Sequence, residues 1–495
     1  MYQFREQYKK ISQQQSRYLI MNKTYRTNYD VIIVGAGPSG IFCAYELITK
    51  NPSLKVLMLE KGNDIKNRIC PKRKTGICVH CKPCNITTGF SGAGAFSDGK
   101  LTLAATETGG NLDKLIGEEK VKELIQKTDD IYLKFGADSY VYGLDKPNEI
   151  AAIRKKSEDA GLKLVESPIR HLGTEASYEI YSKFQNYLLS KGVEILFKTS
   201  VKDFLIRDGR AEGVICKNGQ EFFARQIVVG AGREGASWFK AICEKHDINS
   251  KAGTVDIGVR VECPDKIMHE LNEALYESKL ILYTKNYNDK VRTFCQNPSG
   301  EVALENYHLP DGKEVTTVNG HAYKSKDLKT DLTNFALLVS KNFTEPFKEP
   351  LEYGTIFARA ANMLAGGSVL VQTYGDIKKH RRSTPERIKA TGASPTCPDA
   401  VPGDLTLVLP KRIMDDIIEM IETMDKVVPG LAEDATLLYG IEVKFYSNMV
   451  LIDKKCETNI KGLFAIGDSS SWTRGLSMSS AMGLYIADIL LDSEV

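Results

Sequence analysis

The sequence predicts an α/β fold, in which a Rossmann-type dinucleotide-binding domain with a parallel sheet and a β-meander carries a mixed α+β cap or substrate domain. Two observations support this fold class. An apolar run from Val31 to Val34 is followed at once by glycines in the order G-x-G-x-x-G. Later in the chain, three strand-like runs are joined by Asp-Gly and Asn-Gly turns and end at Gly230. The first pattern is typical of a nucleotide-binding βαβ unit, and the second predicts an antiparallel meander.

The N-terminal glycine motif predicts where a pyrophosphate binds. Gly35 would form the turn from strand to helix, Gly37 would let the phosphates approach the backbone, and Gly40 would let the helix pack on the strand. Glu60 ends a second apolar run twenty residues after Gly40, where a carboxylate can accept hydrogen bonds from an adenosine ribose. The cofactor-binding residues predicted in this part of the chain are Gly35, Gly37, Pro38, Ser39, Gly40, Glu60 and Lys61.

Composition argues against several classes of protein. The chain has 495 residues, which is enough for two or three domains. Its 66 Lys and Arg residues against 63 Asp and Glu residues give a net charge of +3, so we expect no nucleic-acid partner and no binding to an anionic membrane surface. No apolar run approaches the ~18 residues of a membrane span. The N-terminus also lacks the apolar core of a signal peptide, so we expect a cytoplasmic protein.

Patterning along the rest of the chain predicts the following elements. Apolar residues at helical spacing predict helices over residues 41–50, 113–135, 176–189, 411–424 and 477–491. Strands are predicted over residues 31–34, 55–60, 195–206, 211–216, 221–229 and 254–262. Residues 1–29 are polar and are predicted to form a tail. The dinucleotide-binding domain is assigned to residues 30–105, 170–250 and 455–495, and the cap or substrate domain to residues 106–169 and 251–454.

The glycines that follow the meander also spell G-x-G-x-x-G, at Gly230, Gly232 and Gly235. No apolar strand that ends in an acidic residue follows about twenty residues later, as a second nucleotide-binding βαβ unit would require. We therefore interpret the strand before Gly230 as one that returns to the parallel sheet of a single nucleotide-binding domain.

With both glycine motifs and a terminal Gly-Leu-Phe-Ala-Ile-Gly-Asp, the chain resembles flavoproteins of the glutathione-reductase structural superfamily. More narrowly, it resembles the uncharacterised FAD-dependent dehydrogenases, often called NAD(FAD)-utilising dehydrogenases. The segments that carry this resemblance are Gly89 to Leu101, Arg170 to Thr174, Asp256 to Arg260, Arg292 to Cys295, and Gly375-Asp376. The resemblance implies bound FAD and redox chemistry. No independent pyridine-nucleotide domain is visible in the sequence, so we expect either that NAD(P)H docks transiently at the flavin or that an electron-transfer partner supplies electrons through the cysteines at positions 70–84.

The resemblance also implies roles for individual residues. Asp468 would bond the ribityl chain or the pyrophosphate, and the backbone of Gly475, Leu476 and Ser477 would face the pyrimidine edge of the flavin. A helix N-terminus there would stabilise negative charge on a reduced flavin. Val201 would hold the adenine through its backbone. The remaining cofactor-binding residues predicted are Ser91, Gly92, Gly230, Gly232 and Gly467.

Four cysteines, Cys70, Cys78, Cys81 and Cys84, form a second candidate site. Their C-x-x-C-x-x-C spacing with a remote Cys-Pro resembles the run that ligates a [4Fe–4S] cluster in bacterial ferredoxins. Four thiolates also suit structural zinc. A redox-active disulfide is the third alternative, as in thiol-disulfide flavoproteins of the same superfamily. A metal or cluster is favoured, since a dithiol would leave two cysteines unexplained.

Two residues are candidates for catalysis. His171 is a candidate proton carrier, because histidine titrates near neutral pH. Arg382 is a candidate for holding an anionic substrate, because a guanidinium pairs well with carboxylate and phosphate groups. The sequence therefore predicts an FAD-dependent oxidoreductase that acts on an unidentified small molecule. A flavin-bearing RNA-modification or assembly factor and a thiol-disulfide flavoprotein are the alternatives.

Overall fold

The computed structural model describes residues 29–71, 79, 81–94, 99–107, 110–309, 313–322, 327, 329–344, 346–347, 349–444 and 448–493. The predicted tail therefore lies outside the described residues except for Tyr29. The α-helices are α1 (Pro38–Lys50), α2 (Leu112–Ile116), α3 (Glu118–Lys134), α4 (Pro147–Ala160), α5 (Thr174–Ser190), α6 (Ala236–Lys245), α7 (Asp265–Leu275), α8 (Pro350–Leu364), α9 (Tyr374–Lys378), α10 (Pro385–Ala390), α11 (Lys411–Asp425) and α12 (Gly475–Asp492).

The strands alternate with these helices along the chain. They are β1 (Tyr29–Val34), β2 (Val56–Leu59), β3 (Lys100–Thr102), β4 (Lys163–Val165), β5 (Ile169–His171), β6 (Glu194–Leu196), β7 (Val201–Arg207), β8 (Arg210–Cys216), β9 (Glu221–Val229), β10 (Ser250–Lys251), β11 (Val255–Pro264), β12 (Lys279–Tyr283), β13 (Lys290–Asn297), β14 (Glu301–His308), β15 (Glu314–His321), β16 (Leu332–Lys341), β17 (Leu370–Thr373), β18 (Val401–Pro402), β19 (Leu437–Lys444), β20 (Met449–Val450) and β21 (Leu463–Ala465).

A seven-stranded sheet, which we call the nucleotide sheet, has the order β6-β2-β1-β9-β8-β7, with β21 also paired to β9. Strands β6, β2, β1, β9 and β21 run parallel, and β7, β8 and β9 form an antiparallel meander. The register places Val34 beside both Leu59 and Val229. The carboxyl ends of these strands therefore meet at one edge, which is where ligands bind in open α/β sheets.

An eight-stranded sheet, which we call the cap sheet, has the order β18-β17-β19-β11-β16-β13-β12-β4. Most of its neighbouring strands are antiparallel. Strand β11 alternates, with Ile257, Val259 and Val261 in the apolar core and Asp256 and Arg260 on the other face. Because that second face is polar yet buried, it needs internal partners for its charges. Separate pairs are formed by β3 with β5, β10 with β20, and β14 with β15.

Separate apolar cores lie beside the two sheets. Ile33, Phe42 and Phe184 belong to the core at the nucleotide sheet, and Ile257 and Phe335 to the core at the cap sheet. Helix α3 falls in a segment predicted to belong to the cap, yet its apolar face packs in the first core. Side-chain packing decides this placement, and the sequence spacing of α3 does not reveal it. The remaining domain boundaries stay a prediction.

The predicted α/β fold class is confirmed. The parallel return of β9 beside β1 agrees with our interpretation of the Gly230 motif. The single strand predicted over residues 195–206 is wrong, because β6 and β7 are separate strands. Between them Lys198 has a φ of 54°, and the N–H groups of Lys198 and Thr199 donate to the Gly62 and Glu60 carbonyls. In the described part of the chain, no helix has the length and apolarity needed to cross a membrane.

Candidate functional site

The first glycine motif forms the turn between β1 and α1. Gly35 has a φ of 106°, a conformation that favours glycine. A Cβ atom on Gly40 would overlap the Gly35 carbonyl oxygen, whereas a Cβ atom on Gly37 would have no described atom within 4 Å. Gly40 therefore serves close packing, and the backbone at Gly37 faces free space beside the helix N-terminus. An anion such as a pyrophosphate is stabilised at this kind of position.

Ser39 joins the ends of three parallel strands. Its side chain is buried. A Cβ atom would lie 2.9 Å from Ser39 Oγ if placed on Gly230, and 2.7 Å if placed on Gly467. The predicted residues Ser39, Gly230 and Gly467 are thus brought together, and a side chain at either glycine would force the Ser39 hydroxyl to move. Gly232 differs, since a Cβ atom there would have no described atom within 4 Å.

Glu60 is 6% exposed and fixes the loop around the first glycine motif, Gly35 to Gly40, which we call the fingerprint. Its Oε2 accepts a hydrogen bond from the Ala36 N–H at 2.9 Å, and its Oε1 accepts one from the Gly62 N–H at 2.8 Å. The carboxylate thereby stabilises the β1–α1 turn, while each oxygen keeps a further lone pair for a ligand. The other predicted residues here are Lys61, whose Nζ lies 3.5 Å from Glu234 Oε1, and Val201, which is buried at the start of β7.

The segment from Ser91 to Gly94 packs directly on the fingerprint. The Ser91 N–H donates to the Ala36 carbonyl at 2.8 Å. Gly92 has a φ of 68°, and a Cβ atom there would lie 3.2 Å from Pro38 Cδ. A Cβ atom on Gly94 would lie 2.8 Å from Leu476 Cδ2. The glycines therefore allow this segment to join the fingerprint to α12. We call Gly35–Gly40, Ser91–Gly94 and Gly475–Ser477 the cofactor cradle.

Arg68 anchors the cradle and was missed by the sequence analysis. Its guanidinium is buried and donates to the carbonyls of Phe90 and Gly92, each at 2.7 Å, and to Ser91 Oγ at 3.0 Å. It also donates to the carbonyls of Asn85 and Ile86. No local pattern identifies such a residue, because its partners are mainly backbone carbonyls in a segment seventeen or more residues later.

The start of α12 completes the cradle. Asp468 Oδ1 accepts hydrogen bonds from Thr473 Oγ1 at 3.0 Å and from Ser479 Oγ at 2.9 Å, which orients the chain before the helix. Ser477 Oγ is buried and has no hydrogen-bond partner among the described residues. A Cβ atom on Gly475 would have no described atom within 4 Å. The Ser477 hydroxyl and the accessible backbone at Gly475 could hydrogen-bond the polar edge of a flavin ring at this helix N-terminus. The described residues therefore suit FAD.

The structure does not bring the two catalytic candidates together. His171 is the last residue of β5, and its ring lies 5.4 Å from the ring of Tyr276. Tyr276 lies between α7 and β12, which is near one edge of the cap sheet. Arg382 is exposed and lies near β17, toward the opposite edge of that sheet. Its neighbours Arg381 and Ser383 both bond the Asp376 carboxylate, and its own carbonyl accepts from Arg387. Residues 381–383 are therefore held in place by Asp376, away from His171.

A charged cluster lies between the cradle and the cap sheet. Lys100 pairs with His171 in the β3–β5 register, and its ammonium lies 3.2 Å from Glu277 Oε2. The same ammonium donates to the Gln296 carbonyl at 3.3 Å and sits 5.6 Å from the centre of the Tyr276 ring. Lys100 and Glu277 are each less than a tenth exposed. This ion pair links β3, which follows the cradle, to the cap sheet.

The cysteine prediction falls partly outside the described residues, because Cys78 is not among them. Cys70, Cys81 and Cys84 are described as half-buried and unpaired by disulfides. Within the described ranges, no group of three or more His, Cys, Asp or Glu side chains is arranged to hold a metal ion. The described cysteines therefore give no support to a metal or cluster site, and no chemistry is derived through one.

Comparisons with known proteins bear on the class of this chain. Residues 254–445 match the model of a family described as FAD-dependent protein, C-terminal domain-like, and residues 13–65 match the Thi4 family. An uncharacterized protein of Clostridium beijerinckii is 25% identical over 487 residues, which cover 93% of this chain and 80% of the relative. These matches confirm the prediction of an FAD-dependent oxidoreductase at the level of class. The narrower glutathione-reductase-like assignment stays a prediction.

Two further similarities are more limited. The tRNA uridine 5-carboxymethylaminomethyl modification enzyme MnmG of Streptococcus pyogenes serotype M4 is 23% identical over 214 residues, which cover 43% of this chain and 25% of that enzyme. The chain thus matches only a quarter of that relative. Glycine oxidase from Bacillus cereus has a TM-score of 0.37 at 14% identity, with 94% of this chain and 96% of that chain covered.

Proposed function

We propose that this protein binds FAD in the cofactor cradle and oxidises or reduces a small organic molecule between the cradle and the cap sheet. The observation that carries the proposal is the difference between Gly37 and Gly40. Both belong to one fingerprint, yet only Gly40 is needed for protein packing, and Gly37 borders free space at a helix N-terminus. Bound FAD would supply hydride or electron transfer, as flavins do.

The chain's own residues would hold and orient the cofactor. The free backbone at Gly37 would receive the pyrophosphate, and Glu60 would accept from the ribose while it holds the Ala36 N–H. The N-terminus of α12 would stabilise negative charge at the flavin pyrimidine edge. Lys100 and His171 pair in register on β3 and β5, and Lys100 follows the cradle directly, so they are the titratable groups to which we assign a proton-handling role.

The test is to purify the protein and record its absorbance, then identify the released cofactor by chromatography. We expect stoichiometric FAD that dithionite bleaches anaerobically and that air re-oxidises. Adding NADH or NADPH anaerobically decides whether a nicotinamide docks at the flavin or a protein partner supplies electrons. Protein that folds but neither retains nor takes up FAD would refute the proposal.

The competing proposal is an RNA-modification factor, and the 214-residue similarity to MnmG favours it. Against it stands the net charge of +3, because RNA-tracking surfaces usually carry an excess of basic residues. Salt-dependent binding of tRNA by the FAD-loaded protein would support this alternative, whereas flavin turnover with small molecules and no RNA binding would exclude it.

The four cysteines enter as a separate proposal. A [4Fe–4S] cluster predicts bound iron and sulfide after anaerobic purification, and zinc predicts one bound metal with chelator-sensitive stability. A redox disulfide predicts no metal, with two thiols that become reactive after reduction. Iron, sulfide and zinc analysis of the same preparation distinguishes these outcomes.

A further inference from the structure

Lys279 is a buried lysine with little to neutralise it. The residue is 8% exposed at the start of β12, and its ammonium donates to Ser167 Oγ at 3.0 Å. No carboxylate hydrogen-bonds this ammonium among the described residues. The serine hydroxyl is uncharged and accepts a hydrogen bond from only one of the three ammonium N–H groups, so the other two N–H groups remain available as donors. Burying such a charge is costly unless an anion accompanies it.

The surroundings of Lys279 contain other cations. Burial lowers the pKa of Lys279, Glu277 acts to raise it, and Arg292 and Lys100 act to lower it further. The acidic neighbours are already engaged. Glu277 binds Lys100, and Asp256 binds Arg292 at 2.6 Å. Among Lys100, Lys279 and Arg292, therefore, Lys279 is the residue that has no ion pair with a carboxylate among the described residues.

This cation is connected to the cradle through Glu277 and Lys100. The Gly99 N–H donates to the Gly94 carbonyl at 3.1 Å, and Gly94 packs on Leu476 at the start of α12. Lys100 follows directly and reaches Glu277, two residues before Lys279. Aromatic rings stand beside this path, because the Tyr276 ring lies 4.6 Å from that of Tyr142 and 5.4 Å from that of His171. The Tyr276 ring borders Lys100, and Tyr276 stands three positions before Lys279 in the sequence.

We propose that Lys279 anchors the substrate of the enzyme, and that this substrate is a small carboxylate anion. This inference rests on the proposed function, because it assumes that redox chemistry takes place at FAD in the cradle. The carboxylate would accept from the Lys279 ammonium and supply the counter-charge that the protein omits, while its organic part lies against the tyrosine rings. Lys279 is a binding residue here, and no proton transfer is assigned to it.

The experiment uses benzoate as a carboxylate probe and benzamide as its uncharged analogue, both with the FAD-loaded protein. Binding is followed by the flavin difference spectrum and, independently, by calorimetry. Lys279→Met removes the charge at similar length, and Lys279→Arg retains it. Lys163→Met is the matched control, because Lys163 lies on the neighbouring strand β4, pairs in register with Ile281, and is exposed.

We expect benzoate to perturb the flavin spectrum and benzamide not to do so. Loss of one charge-assisted hydrogen bond should weaken benzoate binding by about ten- to a hundredfold in Lys279→Met. Lys279→Arg should retain most of the affinity, and Lys163→Met all of it. Thermal melts establish that each variant is folded, and Lys279→Arg supplies a second comparison if Lys279→Met is not.

Three results would overturn the inference. They are equal benzoate affinity in the wild type and Lys279→Met, equal binding of benzamide and benzoate, and calorimetric binding without a flavin spectral change. The last result would place the anion away from the redox centre. Absence of FAD is a separate outcome, which would refute the proposed function while calorimetry still tests whether Lys279 binds the carboxylate.

Discussion

Replacing Gly37 with valine should weaken FAD binding and leave the protein folded. Gly37 has a φ of −79° and a ψ of −178°, which is extended backbone that valine adopts readily. A Cβ atom there would have no described atom within 4 Å, so no packing penalty arises. Gly37 is the N-cap of α1 and makes no side-chain capping bond, so exchanging glycine for a poorer N-cap residue should cost about 1 kcal/mol or less.

The effect on the cofactor should be larger than the effect on stability. A valine side chain would occupy the free space that the pyrophosphate needs, and the phosphate oxygens would lose hydrogen bonds to backbone N–H groups. Each such bond to a charged group contributes about 1.5–3 kcal/mol. One lost bond therefore weakens FAD binding by about tenfold or more. The ratio of flavin to protein absorbance, followed by FAD titration of the apoprotein, measures this loss.

Gly40→Ala provides the contrasting variant. Its methyl group would overlap the Gly35 carbonyl oxygen and lie 3.1 Å from Ile33 Cγ2. Overpacking of this kind costs about 1–3 kcal/mol, which exceeds the roughly 1 kcal/mol that alanine gains over glycine within a helix. We expect a lower denaturation midpoint for Gly40→Ala and a nearly unchanged one for Gly37→Val. Full FAD content in folded Gly37→Val would refute the assignment of the pyrophosphate site.

Three further predictions concern other residues. Glu60→Ala should lower both FAD affinity and the free energy of unfolding, the latter by about 1–3 kcal/mol, because two buried N–H groups lose their acceptor; calorimetry with FAD and urea denaturation measure both. Arg68→Met should reduce FAD retention and speed hydrogen exchange in residues 85–92, since it removes the donors that hold this segment; unchanged exchange would contradict this. Burial acts to raise the pKa of Asp376, but Ser383 and Arg381 outweigh it and hold the pKa below the ordinary value of an aspartate, so its contribution to stability is present at neutral pH and is lost as the pH falls through the lowered pKa. The difference in melting temperature between wild type and Asp376→Asn should therefore shrink as the pH falls through this range.

The nucleotide-binding half of the fold could be predicted because its determinants are local. The fingerprint glycines, the strand before them and Glu60 are fixed by backbone geometry within about thirty residues. The strand boundary between β6 and β7 could not be predicted, because it depends on contacts between Lys198 and Thr199 and the carbonyls of Gly62 and Glu60. Propensity alone favoured one long strand there, and tertiary hydrogen bonds overrode it.

The proposed substrate-binding residue Lys279 and the predicted one, Arg382, were harder to judge from the sequence for a different reason. Lys279 stands before the apolar run Leu280 to Leu282, where a charged residue usually marks an exposed strand end. Its hydrogen-bond partner Ser167 and its electrostatic neighbour Lys100 are both more than a hundred positions away in the chain. Arg382 raised the opposite difficulty, because an Arg-Arg pair suggests an anion site, whereas Asp376 is the partner that its neighbour Arg381 binds.

Gly94, Gly99 and Lys100 connect the cradle to the cap sheet. Gly94 and Gly99 lack side chains where they pack on Leu476 and beside Gly173, so these two glycines cannot easily be replaced without disturbing their surroundings. Lys100 contacts the cap through Glu277. Lys279 lies on the cap side of that contact and makes no direct bond to the cradle among the described residues. If Lys279 anchors the substrate as proposed, substitutions there should alter substrate choice while FAD binding is preserved, which is the separation expected when function resides in a site placed on a common fold.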